Sequence, residues 1–214
     1  RLTKISKKEN LKTAPLFGCS LTTGFGVVNN DANVKIGQSV LVIGVGGVGL
    51  NIIQASSLVS ANPIIGVDIN NFKLNLAKKF GMNYGLINNK NLNEKVLKIL
   101  DGEKPDVVFE TTGKSQMIEF AYEITNSKGK TILVGVPDKK IKLYTLPLHF
   151  EKILKGSEGG GIIPNRDIPN YIKVIKDKKI NLNKLITHEF TLDKINEAIK
   201  LFRKGIAGRI IIKM

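Results

Sequence analysis

The chain has 214 residues, 42% hydrophobic and 24% charged, which is ordinary for a globular fold with one complete domain and part of a second. No stretch approaches the roughly 20 uninterrupted apolar residues that cross a bilayer, so we expect no membrane partner. The single cysteine excludes an internal disulfide framework, and the start does not resemble an export signal, so we expect a cytoplasmic location.

The formal net charge of +15 raises the possibility of nucleic-acid binding, but its distribution argues against it. The basic residues are scattered in ones and twos, lysine outnumbers arginine by 29 to 4, and tryptophan is absent. Nucleic-acid readers rely on arginine forks and stacking aromatics, so we expect no nucleic-acid partner and interpret the charge as lysines on solvated faces. The positive field would still attract a pyrophosphate cofactor.

Residues 1–38 contain short apolar clusters without a long period, and from residue 39 apolar β-branched runs alternate with helical patterns. We predict strands at 39–44, 63–69, 84–87, 106–110, 129–136 and 154–157. Helices are predicted at 48–59, 72–80, 92–100 and 115–125. The alternation indicates an α/β fold, a Rossmann doubly wound parallel sheet of six strands in the order 3-2-1-4-5-6. Beyond the glycines at 159–161 we predict helices at 167–178 and 192–202 and a strand at 209–213.

The strongest motif is the GxGxxG segment from Gly44 to Gly49, which ends a buried strand and opens a helix. Gly44 permits the tight turn, Gly46 lets the backbone approach a pyrophosphate, Gly47 lies between, and Gly49 allows close packing of helix on strand. The helix N-terminus would then offer unpaired N–H groups to the phosphates. The alternative is a turn that merely needs glycine.

Asp68 ends the second predicted strand, 19 residues after Gly49, where a carboxylate accepts hydrogen bonds from ribose hydroxyls. It would repel a 2′-phosphate, which favours NAD over NADP. We include Ile69 and Lys73 in this predicted site. The alternatives are an Asp that caps the next helix and a solvated lysine.

Further candidates follow the fourth and fifth predicted strands, because doubly wound sheets bind ligands at the carboxyl ends of their strands. These candidates are Thr111, Thr112, Val134, Gly135 and Val136. For the two valines alone, core packing is the simpler interpretation.

The chemistry of Cys19 stays open on its residue type alone, since a lone cysteine is usually a small buried hydrophobe. His149 and His188 have no metal-ligand spacing to Cys19 or to each other, and we interpret both as structural.

Together these residues resemble the medium-chain, zinc-dependent alcohol dehydrogenases, on the side of the class III enzymes, the S-(hydroxymethyl)glutathione dehydrogenases. The matching stretches run in family order over almost the whole chain: 16–26, 40–49, 66–70 with Lys73, 111–113, 134–137, 185–188, 194–197 and 208–209. The resemblance implies that Cys19 is a ligand of a catalytic zinc, that Thr23 and Val48 lie beside the nicotinamide, and that Arg209 reaches the pyrophosphate. It also implies hydride transfer between a small-molecule alcohol or aldehyde and NAD.

The family's N-terminal catalytic domain, with the other zinc ligands, is not found in these 214 residues, so we expect a fragment that binds NAD and catalyses nothing alone. Residues 23–161 are predicted to form the NAD-binding domain, flanked by 1–22 and 162–214 as pieces of an incomplete GroES-like catalytic domain. The resemblance implies a homo-oligomer, a dimer through the edge of the last strand. The alternative is a stand-alone NAD-binding module without catalysis.

Overall fold

A computed structural model describes residues 3–178 and 180–213 and contains one six-stranded parallel sheet. Its strands are β1 Val40–Ile43, β2 Ile64–Asp68, β3 Tyr84–Ile87, β4 Val107–Glu110, β5 Lys130–Leu133 and β6 Ile153–Gly156. They lie in the order β3-β2-β1-β4-β5-β6. The predicted fold class and strand order are therefore confirmed. A separate parallel pair is formed by β7 Ile186–Thr191 and β8 Arg209–Lys213.

Seven α-helices accompany the strands in the described part of the chain: α1 Ser20–Gly26, α2 Gly47–Leu58, α3 Asn71–Lys78, α4 Leu92–Ile99, α5 Ser115–Ile124, α6 Pro164–Asp177 and α7 Ile195–Arg203. Successive side chains of β1 point to opposite faces, so Val40 and Val42 pack with α1 and α2 while Leu41 and Ile43 pack with α4 and α5. The central strand is therefore buried on both faces, which explains its uninterrupted apolar sequence.

Two of the α-helices and strands named above were not predicted. The first is α1, whose sequence SLTTGFG contains two glycines and two threonines, both poor helix formers, and is mostly buried, so it shows no amphipathic period. Tertiary packing forms this helix: a Cβ on Gly24 would lie 2.5 Å from the Cβ of Asn51 on α2, so the glycine permits the close approach. The second is β7, whose residues are only half-buried.

The predicted strand at 129–136 is too long, because β5 ends at Leu133. There the N–H groups of Val134 and Gly135 both donate to the carbonyl oxygen of Glu110, at 2.8 and 3.0 Å, and turn the chain out of the sheet. Helix α6 begins at Pro164, three residues earlier than predicted, with proline in its first turn, where the missing N–H costs nothing.

The predicted division of the chain at residues 22 and 161 stays a prediction, and α1 runs across the first of these points. Within residues 3–178 and 180–213, none of the helices has the length and apolar character needed to cross a membrane.

Candidate functional site

The glycines of the turn between β1 and α2 are of two kinds: some are required by the fold, and one borders open space. Gly44 has φ +91°, and a Cβ there would collide with the Thr111 side chain; a Cβ on Gly49 would collide with the carbonyl oxygen of Gly44. Both positions require glycine for folding. By contrast, a Cβ on Gly46 would meet nothing within 4 Å. Gly46 precedes the 12-residue α2, so the turn leaves open space at a helix N-terminus, where unpaired N–H groups favour an anion.

Asp68 ties the end of β2 to this turn. Its Oδ2 accepts a hydrogen bond from the Val45 N–H at 2.9 Å, and its Oδ1 accepts one from the Asn70 N–H at 3.0 Å. The ammonium of Lys73 lies 3.7 Å from Oδ2. The side chain is almost fully buried, yet each oxygen keeps a lone pair after these bonds. The carboxylate can therefore accept further hydrogen bonds from a ligand.

A cavity of about 260 Å³ joins the glycine turn to Asp68 along the carboxyl ends of the strands. Seven of the predicted site residues line it: Gly44, Gly46, Asp68, Ile69, Lys73, Thr111 and Thr112. Sequence reasoning missed Asn88, Lys114 and Met117, which also line it. Asn88 directly follows β3, so the rule that found Asp68 after β2 would have found it if it had been applied to every strand.

The loop after β4 is held by a buried carboxylate that the sequence did not single out. Glu110 is fully buried and accepts hydrogen bonds from the Thr112 N–H at 2.7 Å, the Thr112 hydroxyl at 2.5 Å and the Gly113 N–H at 3.0 Å. Next to it, the Thr111 hydroxyl lies 2.8 Å from the Gly44 carbonyl oxygen and donates to it. The β4 loop is therefore fixed against the glycine turn.

The predicted residues after β5 lie next to this loop but not in the cavity lining. Gly113 has φ +70°, and a Cβ there would collide with the Val136 carbonyl oxygen, so the two loops touch through their backbones. The side chain of Val136 is 87% exposed, which excludes the simple core interpretation for that residue. Val134 is half-buried and packs against the core.

Arg209 on β8 covers the N-terminus of α2. A Cβ on Gly47 would lie 2.7 Å from Cδ and 2.8 Å from Nη1 of Arg209. Burial lowers the pKa of Arg209, and the charge of Cys19 opposes this effect. None of the seven ion pairs found among the described residues includes Arg209. A desolvated cation beside a helix N-terminus favours an anionic ligand at this point.

Three further candidates flank this region. Cys19 precedes α1, and its carbonyl oxygen accepts the Thr23 N–H at 2.9 Å. The side chain of Cys19 is exposed, so the alternative of a buried hydrophobe is wrong. Thr23 and Val48 are half-buried in the first turns of α1 and α2, which pack on each other.

Comparison with known proteins shows the family of this chain. A family model described as zinc-binding dehydrogenase matches residues 47–177, more than half of the chain. The chain belongs to the zinc-binding dehydrogenase family. This confirms the resemblance seen in the sequence.

Three relatives illustrate the extent of the match. The S-(hydroxymethyl)glutathione dehydrogenase of Paracoccus denitrificans is 35% identical over 206 residues, covering 91% of this chain and 55% of that protein. Alcohol dehydrogenase 2 of Oryza sativa subsp. japonica is 35% identical over 220 residues, covering 100% of this chain and 58% of that protein. The crystal structure of benzyl alcohol dehydrogenase from Acinetobacter calcoaceticus aligns with a TM-score of 0.91 at 27% identity, covering 99% of this chain and 59% of that one. The chain thus spans a little over half the length of these relatives.

The zinc expected for the family is not matched by a ligand set in the part of the chain that the structure describes. Residues 3–178 and 180–213 contain no group of three or more His, Cys, Asp or Glu side chains placed to hold a metal ion. His188 contacts the Thr187 hydroxyl through Nδ1 at 2.9 Å, and His149 lies in a 3-10 turn before β6. Cys19 alone cannot hold a catalytic zinc, which needs three protein ligands.

Proposed function

We propose that this zinc-binding dehydrogenase chain is the NAD-binding portion of an oxidoreductase that transfers a hydride between a small alcohol or aldehyde and NAD. The observation that carries the proposal is the crevice at the carboxyl edge of the sheet. There an open glycine, a helix N-terminus and the acceptor carboxylate of Asp68 line one continuous cavity.

The residues suit two groups in the adenosine diphosphate half of NAD, the pyrophosphate and the ribose. The N–H groups at the start of α2 would bind the pyrophosphate, since a Cβ-free Gly46 leaves the backbone open there. Arg209, next to Gly47 in the first turn of α2, would help to neutralise the same phosphates. Asp68 would accept the ribose hydroxyls, with Lys73 alongside, and its charge would repel the extra phosphate of NADP.

The nicotinamide half would lie toward Thr23, Val48 and the loop containing Val134, Gly135 and Val136. The backbone of that loop, turned out of the sheet after Leu133, would hydrogen-bond the carboxamide and orient the ring. When bound, NAD supplies the hydride acceptor for oxidation of an alcohol carbon. The described residues hold and orient the cofactor, and no proton transfer or metal step is assigned to them.

A second candidate is an NAD-binding module that performs no catalysis by itself. It is favoured by one observation: the described residues furnish no metal-ligand set. Activity assays separate the two. Alcohol oxidation by the intact gene product, with none by this 214-residue chain, favours the oxidoreductase, whereas its absence from both favours the module.

We also propose that two copies pair through the edge of the sheet. β6 is an edge strand; Ile153, its first residue, is 43% exposed, and Phe150, just before it, is 65% exposed. An unpaired strand with exposed apolar neighbours is a template for a second strand.

Titration of the purified chain with NADH and with NADPH, followed by nicotinamide fluorescence, tests the main proposal. Saturable NADH binding with much weaker NADPH binding is expected. No binding by a folded sample would refute the assignment of this chain as an NAD-binding unit, and equal affinity for both nucleotides would refute the proposed preference for NAD.

A further inference from the structure

A second cavity lies at the other end of the sheet from the glycine turn. Its volume is about 670 Å³, and its lining includes residues just before β4, β5 and β6: Lys104, Ser127 and Lys152. The apolar part of the wall comes from Tyr122 on α5 and from Leu143, Tyr144 and Pro147. Nothing proposed for the cofactor uses this cavity.

Lys152 is the unusual group in this cavity. The residue is only 7% exposed, although lysine is almost never buried unless it is paired with an acid. Its ammonium donates to the Thr125 carbonyl oxygen at 2.8 Å and lies 4.5 Å from the centre of the Tyr122 ring. None of the seven ion pairs among the described residues includes it.

The charges around Lys152 do not compensate its burial. Burial and then the charge of Lys104 lower the pKa of Lys152, Glu123 acts in the opposite direction, and the net result is a pKa of about 8. The other ionisable groups of the cavity lining are Glu103, Glu119, Tyr122, Lys142 and Tyr144, and burial raises the pKa of the Tyr122 phenol. Glu119 is engaged elsewhere, since it accepts the Lys142 N–H at 2.7 Å.

We propose that Lys152 is a nucleophilic amine that captures small apolar aldehydes as Schiff bases in this cavity. The wall is mixed, and its apolar part, formed by the four aromatic and aliphatic residues named above, suits the uncharged body of an aldehyde. An aldehyde carbonyl reacts with a neutral amine without any further reactant. This site is separate from the cofactor crevice and does not depend on NAD binding there.

The reaction is an addition followed by loss of water. The lone pair of the neutral Nζ forms a bond to the carbonyl carbon while the C=O π pair moves to oxygen. A proton passes from nitrogen to that oxygen, giving a carbinolamine. Departure of the oxygen as water leaves an imine, which is protonated at neutral pH, and no oxidant or reductant is consumed.

Reductive trapping tests the proposal on the whole chain. The protein is incubated at pH 7 with benzaldehyde and cyanoborohydride, and the labelled lysines are quantified by peptide mass spectrometry. We expect Lys152 to be labelled about tenfold faster than the exposed Lys78 and Lys95, because more of its amine is neutral. Labelling no faster than these two lysines, or an equal preference after unfolding in urea, would overturn the proposal.

Two matched variants test the environment rather than the amine alone. Lys104→Gln removes the neighbouring cation and is expected to slow labelling of Lys152, whereas Glu123→Gln removes the opposing acid and is expected to speed it. If neither variant changes the rate in these directions, the local charges do not control the amine and the proposal fails. In Lys152→Arg, unchanged NADH binding is expected, so a failure here is distinguishable from a failure of the cofactor assignment.

Discussion

The Oδ2 atom of Asp68 accepts the backbone N–H of Val45 at 2.9 Å, and this bond joins the end of the second strand to the glycine turn after the first. The same carboxylate is therefore both a structural link and a candidate ligand for ribose. Removing it should weaken cofactor binding in two ways, by loss of the acceptor and by loosening of the turn. Variants must separate these effects.

The first prediction concerns cofactor choice. Asp68→Asn keeps the size of the side chain but removes its charge, so the affinity for NADH should fall while the discrimination against NADPH narrows, each by about tenfold. Fluorescence titration with both nucleotides measures this. Asn70→Ala is the matched control, because Asn70 caps α3 by accepting the Phe72 N–H at 2.9 Å and has no proposed ribose contact. If the preference for NADH over NADPH is unchanged in Asp68→Asn, another group distinguishes the two nucleotides at the ribose.

The glycines of the turn provide the second prediction. Gly46→Ala places its methyl group in open space, so the fold should keep its stability while NADH affinity falls at least about tenfold. Gly49→Ala drives its methyl group into the Gly44 carbonyl oxygen and should reduce the free energy of unfolding by about 2 kcal/mol or more. Urea unfolding and NADH titration of both variants give the comparison. Equal loss of stability in the two variants would contradict the division of roles.

The third prediction concerns the buried Glu110. In Glu110→Gln an amide NH₂ replaces one carboxylate oxygen. This NH₂ must face a backbone N–H or a hydroxyl that donated a hydrogen bond to that oxygen, so a donor is left without an acceptor in the core. We expect a loss of about 1–3 kcal/mol in unfolding free energy and weaker NADH binding, since the loop of Thr111 and Thr112 shifts. Glu94→Gln, at an exposed helix position, is the control and should change neither property. An unaltered melting temperature in Glu110→Gln would refute the anchoring role.

Sequence reasoning reached the sheet order and seven of the twelve residues that line the candidate cavity, because both follow from local patterns. Buried parallel strands have continuous apolar sequences, and the position of Asp68 follows from the end of its strand. Glu110 was missed as a functional residue because its role depends on donors that arrive from the following turn. α1 was missed because its stability comes from contact with Asn51 on α2, which no local propensity reports.

Lys152 illustrates a further limit of local patterns. In sequence it is one of 29 lysines, and it was interpreted with the others as a solvated charge. The structure corrects that interpretation, because Lys152, directly before β6, is buried and its ammonium lies against the ring of Tyr122 on α5. Burial of a single charge depends on the packing of distant segments, which composition does not encode.

The fourth prediction tests pairing through the sheet edge. Ile153→Asp places a charge on the exposed apolar side of β6, so the chain should change from a dimer to a monomer in size-exclusion chromatography with light scattering. Ile199→Asp is a matched control, because Ile199 is similarly exposed, at 41%, but lies on α7. A dimer that persists in Ile153→Asp, or dissociates equally in Ile199→Asp, would place the interface elsewhere.

The last prediction concerns acid stability and the clip formed by Lys12, Glu189 and Lys213. The Glu189 oxygens lie 2.6 Å from the Lys12 ammonium and 2.5 Å from that of Lys213, and these hydrogen bonds lower the pKa of Glu189 from 4.5 to about 2. Because the folded pKa is depressed, the clip stabilises the fold fully above pH 4.5 and loses this effect as the pH falls toward 2.

Glu189→Gln should therefore melt below the wild type at pH 6, and the two melting curves should converge as the pH approaches 2. Thermal unfolding at pH values from 6 to 2 measures the difference, with Glu94→Gln as the exposed control that follows the wild type throughout. Since the clip joins the N-terminal segment to β7 and β8, limited proteolysis near Lys12 should also become faster in Glu189→Gln at pH 6. Parallel curves for the wild type and Glu189→Gln across this range would show that Glu189 titrates alike in the folded and unfolded states.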